Sequence, residues 1–507
     1  MLLKDLARAE DGRLIGDGDI EISSIEHDSR AVAPGALFVA VPGFTVDGHA
    51  YLGRAVENGA EAVVVQEDRE GMWKSLVEGA GVDLLVLGDT RSGMARLAAA
   101  LNDFPARKLK VVGVTGTDGK TSLCHLVSHV FSAAGLKTGL ISTAECRIGD
   151  QLIADTGRFT TPESPQVQSM LAQMVDAGCE WAVIEATSHG LALHRVDGCY
   201  YDIAAFTNIG RDHIDFHGSE DDYRASKGRL FQMLDDAPKK GVEKTAILNA
   251  DDEACAYMRS LTRSKVATYG IESGADFRAI GLHPEGRGTR FQAAMPRATS
   301  EVLVPMPGPF NVSNAIAALA ITSAAEAPLD SVIAAISTWP GAPGRTQFID
   351  RGQPFTVLVD FAHAPESLRR VLRMLRDSSH GRVIAVFGCI GEHDKERRPG
   401  MARAAAELAD YTFITDDNPY SEDRDAILAE IAAEMRAVGK RDGHDFSVIP
   451  DRREAIAQAL SMAVDEDVVL LAGKGHERQV HIGATIYECD DREVAAQALA
   501  QLGYTAS

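Results

Sequence analysis

The segment KVVGVTGTDGKTS, residues 110–122, places an apolar strand before a glycine-rich turn and a helix that begins near Thr121. Backbone N–H groups of such a turn can bind phosphates at the helix N-terminus. Lys120 can reach the outer phosphates, and the Thr121 hydroxyl can hold Mg²⁺. The spacing departs from G-x-x-x-x-G-K-[ST], because Val114 stands where the first glycine is required. The strand–turn–helix context still predicts a nucleotide-binding loop.

Two further apolar strands follow this loop, and both end in polar residues. They are WAVIEATS (Trp181–Ser188) and DIAAFTNI (Asp202–Ile209). Because parallel strands end at one edge of a sheet, this pattern predicts chemistry at that edge. The Pro/Gly-rich run WPGAPGR (Trp339–Arg345) predicts a linker after this unit.

The flanking segments predict two more α/β units. Before Pro105, GALFVAVPG (Gly35–Gly43) reads as a buried strand, and YLGRAVENGAEAVVVQ (Tyr51–Gln66) as a helix followed by a strand. After the linker, four apolar strands end in charged or glycine-rich residues, which is typical of a doubly wound domain. We therefore expect an α/β protein of three domains, with bounds 1–105, 106–340 and 341–507.

The composition indicates a folded, acidic protein. The chain has 507 residues, with 51 Lys+Arg against 73 Asp+Glu, and a net charge of −22. Its 45% hydrophobic and 24% charged residues exclude a disordered or collagen-like chain. So acidic a surface disfavours non-specific nucleic-acid binding, but it permits a local basic pocket for a phosphorylated small molecule.

The chain carries no recognisable targeting signal. The N-terminal MLLKDLARAEDGR lacks the apolar core of a signal peptide, and no apolar run approaches the length of a membrane span. The seven cysteines form no CxxC pair, and an odd, scattered set fits a reducing compartment. These features predict a cytoplasmic protein with no membrane span and no nucleic-acid partner.

Ordered motifs along the chain resemble those of the Mur ligases, which build the peptidoglycan stem peptide. They include DSR (28–30), VPGFTVDGH (41–49), GTDGKT (116–121), IEATSHGLALHRV (184–196), FTNIGRDHIDFHGSEDDYRASK (206–227), GPFNVSN (308–314), PGR (343–345), DFAHAPES (360–367), DNP (417–419) and GKGHE (473–477). The resemblance implies an N-terminal uridine-nucleotide-binding domain, a central P-loop ATPase-like domain with a parallel sheet, and a C-terminal Rossmann-like domain. The first two motifs resemble those of members that add the third stem residue.

For such a member the resemblance implies an ADP-forming ligase of peptidoglycan precursor synthesis. It would join a diamino acid to the D-Glu γ-carboxylate of UDP-N-acetylmuramoyl-L-alanyl-D-glutamate. ATP would convert the carboxylate to an acyl phosphate, since carboxylate oxygens are poor leaving groups. The implied cofactors are ATP, two Mg²⁺ ions and a CO₂-derived carbamate on Lys227. The partners would be the UDP-muramoyl dipeptide and a free amino acid, and the chain would act as a monomer.

The resemblance also implies roles for individual residues. The catalytic set is Lys120, Glu185, His213 and Lys227, and the metal ligands are Thr121, Glu185, His213 and Lys227. ATP would contact Gly116, Thr117, Asp118, Gly119, Lys120, Thr121, Ser122, Asn311, Arg345 and Asp360. The UDP-sugar peptide would contact Ser29, Phe44, Thr45, Thr160, Thr161, Thr187 and Arg195. The amino acid would contact His393, Asp417, Asn418, Tyr420, Gly473 and Glu477.

Several of these residues also fit an ordinary structural role when each is taken alone. Glu185 fits a strand-end carboxylate as well as a ligand, and Lys227 fits a solvated helix lysine better. Only the ordered context favours a site. His189 fits equally a residue that orients a site group and a packed histidine.

The identity of the amino acid stays open at this stage. Members that add meso-diaminopimelate carry an arginine directly after D-N-P and another in the turn before D-K. Here Tyr420 and His393 stand at those positions. Glu477 suits the distal ammonium of any diamino acid, so diaminopimelate, L-lysine and L-ornithine all remain. A member that joins a different amine, a folylpolyglutamate synthase-like enzyme and a nucleotide-binding paralogue without turnover are the alternatives.

Overall fold

A computed structural model describes residues 1–44, 46–69, 79, 81–153, 160–210, 212–392 and 395–505. Its backbone contacts divide the chain into two compact units. The first comprises Met1–His283, Arg290–Val304 and Phe310–Trp339, and the second comprises Pro284–Thr289, Pro305–Pro309 and Pro340–Ser507. The expected three-domain division stays a prediction.

Residues before Pro105 form a five-stranded sheet of order β1-β5-β4-β3-β2, in which only β1 is antiparallel to its neighbour. Its elements are α1 (Leu3–Ala9), β1 (Arg13–Ile15), β2 (Ser24–Glu26), β3 (Ala36–Val39), α2 (Leu52–Glu57), β4 (Ala62–Gln66), β5 (Asp83–Leu87) and α3 (Thr90–Leu101). Alternate residues of β3 point to opposite faces: Leu37 and Val39 join one core, Ala36 and Phe38 the other. The predicted strand–helix–strand pattern is confirmed.

The central sheet has eleven strands, of order β16-β15-β14-β13-β12-β11-β6-β10-β7-β8-β9. Its strands are β6 (Lys110–Thr115), β7 (Thr138–Ile141), β8 (Cys146–Ile148), β9 (Gln151–Ile153), β10 (Trp181–Glu185), β11 (Ile203–Phe206), β12 (Thr245–Asn249), β13 (Lys265–Gly270), β14 (Phe277–Glu285), β15 (Gly288–Met295) and β16 (Ala298–Val304). The six neighbouring strands β13, β12, β11, β6, β10 and β7 are parallel to one another. Among them, β6 lies between β10 and β11. The ends of these three strands therefore meet at one edge, as the polar strand ends predicted.

Helices cover this sheet, and they carry Lys120, Thr121, Ser122, Lys227 and Asn311 of the predicted site. They are α4 (Lys120–Ala133), α5 (Ser164–Asp176), α6 (Ser188–Ala192), α7 (Ile214–His217), α8 (Glu220–Asp236), α9 (Cys255–Ser260), α10 (Pro309–Ala324) and α11 (Leu329–Ser337). The strands β6 and β10 are buried along nearly their whole length. Sheets covered on both faces need such continuous apolar strands, which is why these runs could be recognised in the sequence.

The second unit contains a six-stranded sheet of order β17-β18-β22-β19-β20-β21 and a separate hairpin. Its elements are β17 (Gln347–Phe348), β18 (Thr356–Asp360), α12 (Pro365–Ser378), β19 (Val383–Phe387), α13 (Arg397–Leu408), β20 (Tyr411–Ile414), α14 (Arg424–Ala437), β21 (Phe446–Val448), α15 (Arg452–Met462), β22 (Val468–Ala472), β23 (Gln479–Ile482), β24 (Thr485–Glu488) and α16 (Asp491–Gln501). All but β17 are parallel, so β18, β22, β19 and β20 end at one edge. The predicted doubly wound fold is confirmed.

None of the helices in the described ranges is both long enough and apolar enough to cross a lipid bilayer.

Candidate active site

Two glycines shape the turn between β6 and α4. Gly116 and Gly119 have φ values of 147° and 82°. A Cβ on Gly116 would stand 1.8 Å from Thr207 Oγ1, and one on Gly119 would stand 2.9 Å from Asn314 Oδ1. The close approach of neighbouring chain, together with the positive φ, explains why glycine occupies both positions.

The turn is fixed to the chain that follows β11. Thr117 N–H donates to Asn208 O at 2.8 Å, and Asp118 N–H donates to Asn208 Oδ1 at 3.0 Å. The Thr207 hydroxyl donates to Asp118 O at 2.6 Å. A turn held at this many points is preorganised, which lowers the entropy cost of binding phosphates.

A buried carboxylate lies beside the start of α4. Glu185, at the end of β10, is 1% exposed. The Thr121 hydroxyl lies 3.1 Å from both of its carboxylate oxygens, and Ser142 Oγ and Thr143 N–H donate to Oε2 at 2.8 and 3.0 Å. The Lys120 ammonium donates to Thr117 O at 2.7 Å. The structure therefore brings together three of the predicted catalytic and metal-binding residues.

Lys227 reaches the same turn from α8. Its side chain is 1% exposed, and its Nζ donates to Gly116 O at 2.5 Å. Burial, and then the positive charge of Lys120, lowers the pKa of Lys227 well below its ordinary value. A lowered pKa increases the neutral fraction of the amine, which is the form that can react with CO₂.

Tyr223 connects α8 to the turn and was missed in the sequence. Its hydroxyl lies 3.0 Å from Thr117 Oγ1, and the Lys227 ammonium lies 4.3 Å from the centre of its ring. Tyr223 precedes Lys227 by four residues, so both lie on one face of the helix. That spacing was the available signal.

The donors beside the turn fit a hard cation. Glu185 and Thr121 offer carboxylate and hydroxyl oxygens, the ligand type that Mg²⁺ prefers. Within the described ranges, no three His, Cys, Asp or Glu side chains are grouped so as to hold a metal ion. A magnesium ion here would therefore need phosphate or water oxygens as further ligands, which is usual for Mg²⁺.

His213 precedes α7 with a positive φ of 52°. Its side chain is 42% exposed, and its Nε2 lies 3.3 Å from Asp212 Oδ2. Its ring centre is 4.7 Å from that of His189, which lies in α6 directly after β10. Burial, and then the neighbouring His213 and His217, lowers the pKa of His189 to about 4, so His189 is neutral near pH 7.

Three of the residues predicted to bind the UDP-sugar peptide surround the end of β10. The Thr161 hydroxyl donates to Glu185 O at 3.0 Å and lies 2.9 Å from Thr187 Oγ1. Arg195 donates to Thr161 O at 3.2 Å, and its guanidinium lies 2.6 Å from Glu163. The structure therefore places two hydroxyls at the backbone end of β10, with the Arg195 guanidinium beside Thr161 and Glu163.

Of the other predicted UDP-sugar residues, Ser29 and Phe44 lie away from the end of β10 in the sequence. Ser29 is buried and its carbonyl accepts from Asn58, whereas Phe44 is 75% exposed. Thr160 directly precedes Thr161. Thr45 lies outside the described residues.

Four residues predicted to bind the amino acid meet at the strand-end edge of the second unit. Asn418 Nδ2 donates to Glu477 Oε2 at 3.1 Å, and Asp417 lies beside Gly473, whose N–H donates to Asp360 O at 3.1 Å. Tyr420 has a φ of 52°, and its N–H donates to His481 O at 3.0 Å. His393 lies outside the described residues.

Lys474 is a residue of this edge that the sequence analysis missed. It is fully buried, lies 2.7 Å from Glu477 Oε2 and lies 3.6 Å from Asp417 Oδ1. Burial lowers the pKa of Lys474, but Asp417 and Glu477 outweigh this, so the net pKa is raised and the ammonium stays charged. Burial also raises the pKa of Glu477. The motif GKGHE contained the lysine, but burial is a tertiary property.

The predicted ATP-binding residues fall in both units. Asn311 is buried in α10 of the first unit, and Ser122 follows Thr121 in α4. In the second unit, Asp360 accepts from Thr346 N–H at 2.7 Å, and the Arg345 guanidinium lies 4.3 Å from the centre of the Phe361 ring. Their contact with a nucleotide stays a prediction.

The chain is similar to known proteins along most of its length. Three family descriptions match successive parts of the chain: "Mur ligase family, catalytic domain" at 21–101, "Mur ligase middle domain" at 114–322, and "Mur ligase, glutamate ligase domain" at 344–475. A UDP-N-acetylmuramyl-tripeptide synthetase of Roseiflexus sp. (strain RS-1) is 44% identical over 96% of both chains. The chain belongs to the Mur ligase family.

Other Mur ligases show the same full-length similarity. A UDP-N-acetylmuramoyl-L-alanyl-D-glutamate–2,6-diaminopimelate ligase of Bacillus velezensis is 40% identical over 96% of this chain and 95% of its own length. A solved structure of a ligase with that same description has a TM-score of 0.68 and 29% identity, and covers 99% of both chains. The resemblance predicted from the motifs is confirmed, and so is the α/β fold with sheets matching the three Mur ligase domains.

Proposed function

We propose that the chain is an ATP-dependent, ADP-forming ligase that adds a diamino acid to UDP-N-acetylmuramoyl-L-alanyl-D-glutamate in peptidoglycan precursor synthesis. One observation carries the proposal: Lys120, Thr121, Glu185 and Lys227 converge on a single glycine-rich turn. The full-length relatives, which are described as UDP-N-acetylmuramyl-tripeptide synthetase and diaminopimelate ligase, supply the substrate class. A reaction that uses these soluble nucleotides is expected in the cytoplasm.

The reaction proceeds in two steps. An oxygen of the D-Glu γ-carboxylate attacks the γ-phosphorus of ATP, the bond to ADP breaks, and an acyl phosphate forms. The neutral amine of the incoming amino acid then attacks the acyl carbon, and inorganic phosphate leaves. Because both steps bring several anions together, catalysis consists chiefly of positioning and charge neutralisation.

Each residue has a role in this scheme. The backbone of residues 116–119 and Lys120 hold the phosphates, while Thr121, Glu185, His213 and carbamylated Lys227 would hold two Mg²⁺ ions. Bound Mg²⁺ would neutralise the phosphate charge. A carbamate forms when the neutral Lys227 amine adds to CO₂ and loses a proton, and it replaces an uncharged nitrogen with an anionic oxygen ligand.

Arg195, Thr161 and Thr187 hold the peptide part of the sugar nucleotide beside Glu185. A guanidinium suits this position because its planar N–H groups can bind a carboxylate bidentately. At the edge of the second unit, Glu477 and Asn418 receive the distal ammonium of the amino acid. Diaminopimelate is the candidate that the relatives' names supply, and Tyr420 offers it a neutral hydroxyl.

The test is incubation with the UDP-muramoyl dipeptide, ATP, Mg²⁺ and an equimolar mixture of diaminopimelate, lysine and ornithine. Mass spectrometry of the nucleotide product identifies the residue added, and chromatography separates ADP from AMP. We expect one UDP-muramoyl tripeptide together with ADP and phosphate. AMP, or ADP release without any tripeptide, would contradict the proposal. Lys120→Ala is the matched control and should abolish product formation.

A further inference from the structure

Phe216 lies where three parts of the proposed site meet. Its ring centre is 5.1 Å from that of Phe44, with an interplanar angle of 68°. On its other side it is 4.0 Å from the ring of His189. Both separations are those of packed rings, and the contact with Phe44 has the edge-to-face geometry that aromatic pairs prefer. We call Phe44, His189 and Phe216 the aromatic junction.

Phe44 lies in a loop whose other described residues are held by hydrogen bonds. Gly43 N–H donates to Val46 O at 3.1 Å, and Gly48 N–H donates to Val41 O at 3.0 Å. The Arg91 guanidinium donates to Pro42 O at 2.6 Å and so attaches the loop to the start of α3. The Phe44 ring nevertheless remains 75% exposed. The loop therefore presents Phe44 outward, with Phe216 as its aromatic contact.

Phe216 lies in the same backbone turn as His213. Both belong to one turn of chain, because Phe216 N–H and His217 N–H donate to His213 O at 3.2 and 3.0 Å. His213 also packs against the junction, since its ring centre is 4.7 Å from that of His189. Phe216 and His213 therefore lie in one hydrogen-bonded turn, and both of their rings contact His189.

We propose that Phe216 is a positioning residue that couples sugar-nucleotide binding at Phe44 to the orientation of His213. The inference rests on the proposed function, which places the UDP-sugar peptide at Phe44 and Mg²⁺ at His213. When the bound sugar nucleotide fixes the position of Phe44, it favours one position of the Phe216 ring. That position in turn favours one orientation of His213. The reciprocal effect is required by linkage: Mg²⁺ must tighten sugar-nucleotide binding by the same factor.

The expected size of the coupling follows from the strength of one aromatic pair. Such a pair changes a binding constant by about three- to tenfold. The chain should therefore bind the UDP-muramoyl dipeptide about three- to tenfold more tightly with Mg²⁺ than with EDTA. A non-hydrolysable ATP analogue is present in both conditions, and calorimetry measures the two dissociation constants without turnover.

Variants of the junction should remove this coupling without unfolding the chain, since Phe44 is exposed and Phe216 only half-buried. In Phe216→Leu and in Phe44→Leu, the ratio of the two dissociation constants should fall towards one, and the double variant should fall no further. Phe216→Tyr keeps the ring and should retain the ratio. Tyr487→Leu, at an exposed aromatic of β24 outside the junction, is the matched control and should behave as the parent chain.

Kinetics supply a second readout that a merely structural role would not give. The junction variants should raise the KM for the UDP-muramoyl dipeptide and for Mg²⁺, and kcat at saturation of both should change less. A parent chain that binds the dipeptide with equal affinity in both conditions would overturn the coupling alone. A parent chain that does not bind the dipeptide at all would overturn the proposed function as well. Additive losses in the double variant would also contradict the coupling.

Discussion

At the residue scale, the buried lysine beside the phosphate-binding turn is the most unusual group. Lys227 is almost completely buried and close to a second lysine, Lys120, whose charge opposes its protonation. An isolated ammonium is costly to bury, so the group is expected to exist as a neutral amine or as a modified one. Conversion to a carbamate would place an anion near Lys120, and the two groups would then attract each other.

A spectroscopic test of this modification is independent of activity. After incubation with ¹³C-bicarbonate near neutral pH, the parent chain should give a carbamate carbon resonance that Lys227→Met lacks. Alkaline pH should not be needed, because burial has already lowered the pKa of Lys227. Identical spectra for the two proteins would show that Lys227 is unmodified.

At the element scale, the β6–α4 turn owes its shape to glycines, and their roles differ from that of an ordinary helix-end glycine. Gly116 combines a positive φ with a neighbouring hydroxyl only 1.8 Å from an added Cβ. Gly135, after α4, also has a positive φ of 81°, but an added Cβ there would meet nothing within 4 Å. Substitutions at Gly116 and Gly135 therefore distinguish the cost of backbone strain from the cost of steric crowding.

We expect Gly135→Ala to lower the free energy of unfolding by about 1–2 kcal/mol, the usual cost of a left-handed conformation for alanine. Gly116→Ala should lose more, because Thr207 and the chain after β11 must also shift. It alone should weaken ATP binding. Urea denaturation and nucleotide titration measure the two effects. Equal losses in the two variants would exclude crowding at Gly116.

A buried ion pair joins the starts of α15 and α16 in the second unit. Arg452 Nε and Nη2 donate to Asp491 at 2.7 and 2.6 Å, and both side chains are almost fully buried. The same guanidinium donates to Asp416 O and Ala472 O, which follow β20 and end β22. The pair therefore fixes the spacing of the DNP and GKGHE segments.

Removal of one partner should be costly. Arg452→Met leaves Asp491 charged and buried, and we expect a loss of about 3–5 kcal/mol in the free energy of unfolding. Arg436→Met breaks an exposed pair with Asp442 in the same unit and should cost far less. Urea denaturation of both variants provides the comparison. Similar losses would mean that the buried pair is not a major source of stability.

At the scale of the whole molecule, we expect a buried lysine near Pro105 to make the free energy of unfolding depend on pH. Lys240 donates to the carbonyls of Ala106, Leu109 and Tyr200 and pairs with Asp202 at 2.7 Å. Burial outweighs the attraction of Asp202 and lowers the pKa of Lys240 to about 8.

Between pH 8 and 10.5 the unfolded chain therefore binds more protons at Lys240 than the folded chain does. The free energy of unfolding should rise with pH across this interval, by up to about 3 kcal/mol from this group. Lys240→Met should flatten that rise, whereas Lys108→Met, at an exposed lysine, should not. Thermal or urea unfolding at several pH values measures the slope. An unchanged slope in Lys240→Met would contradict this origin.

Particular residues show how far the sequence could lead. The continuous apolar runs that became β6, β10 and β11, and the spacing of GTDGKT, were sufficient to predict the sheet and the turn. The three added strands β14, β15 and β16 were not predicted, because they carry no motif and alternate only partly. Lys474, Tyr223 and Arg452 were missed, because an ordinary lysine, tyrosine or arginine gives no local signal of burial.

The sequence by itself determined the α/β class, the order of the strand-end motifs and the Mur ligase family, because these depend on local hydrophobic periodicity and on residues close together in the chain. Tertiary structure alone decided which side chains lose water and which distant groups meet. The lowered pKa of Lys227, the charge on buried Lys474 and the contact between Phe44 and Phe216 all arise that way. Desolvation and long-range packing depend on the folded surroundings of a residue, and the residues next to it in the sequence do not determine those surroundings.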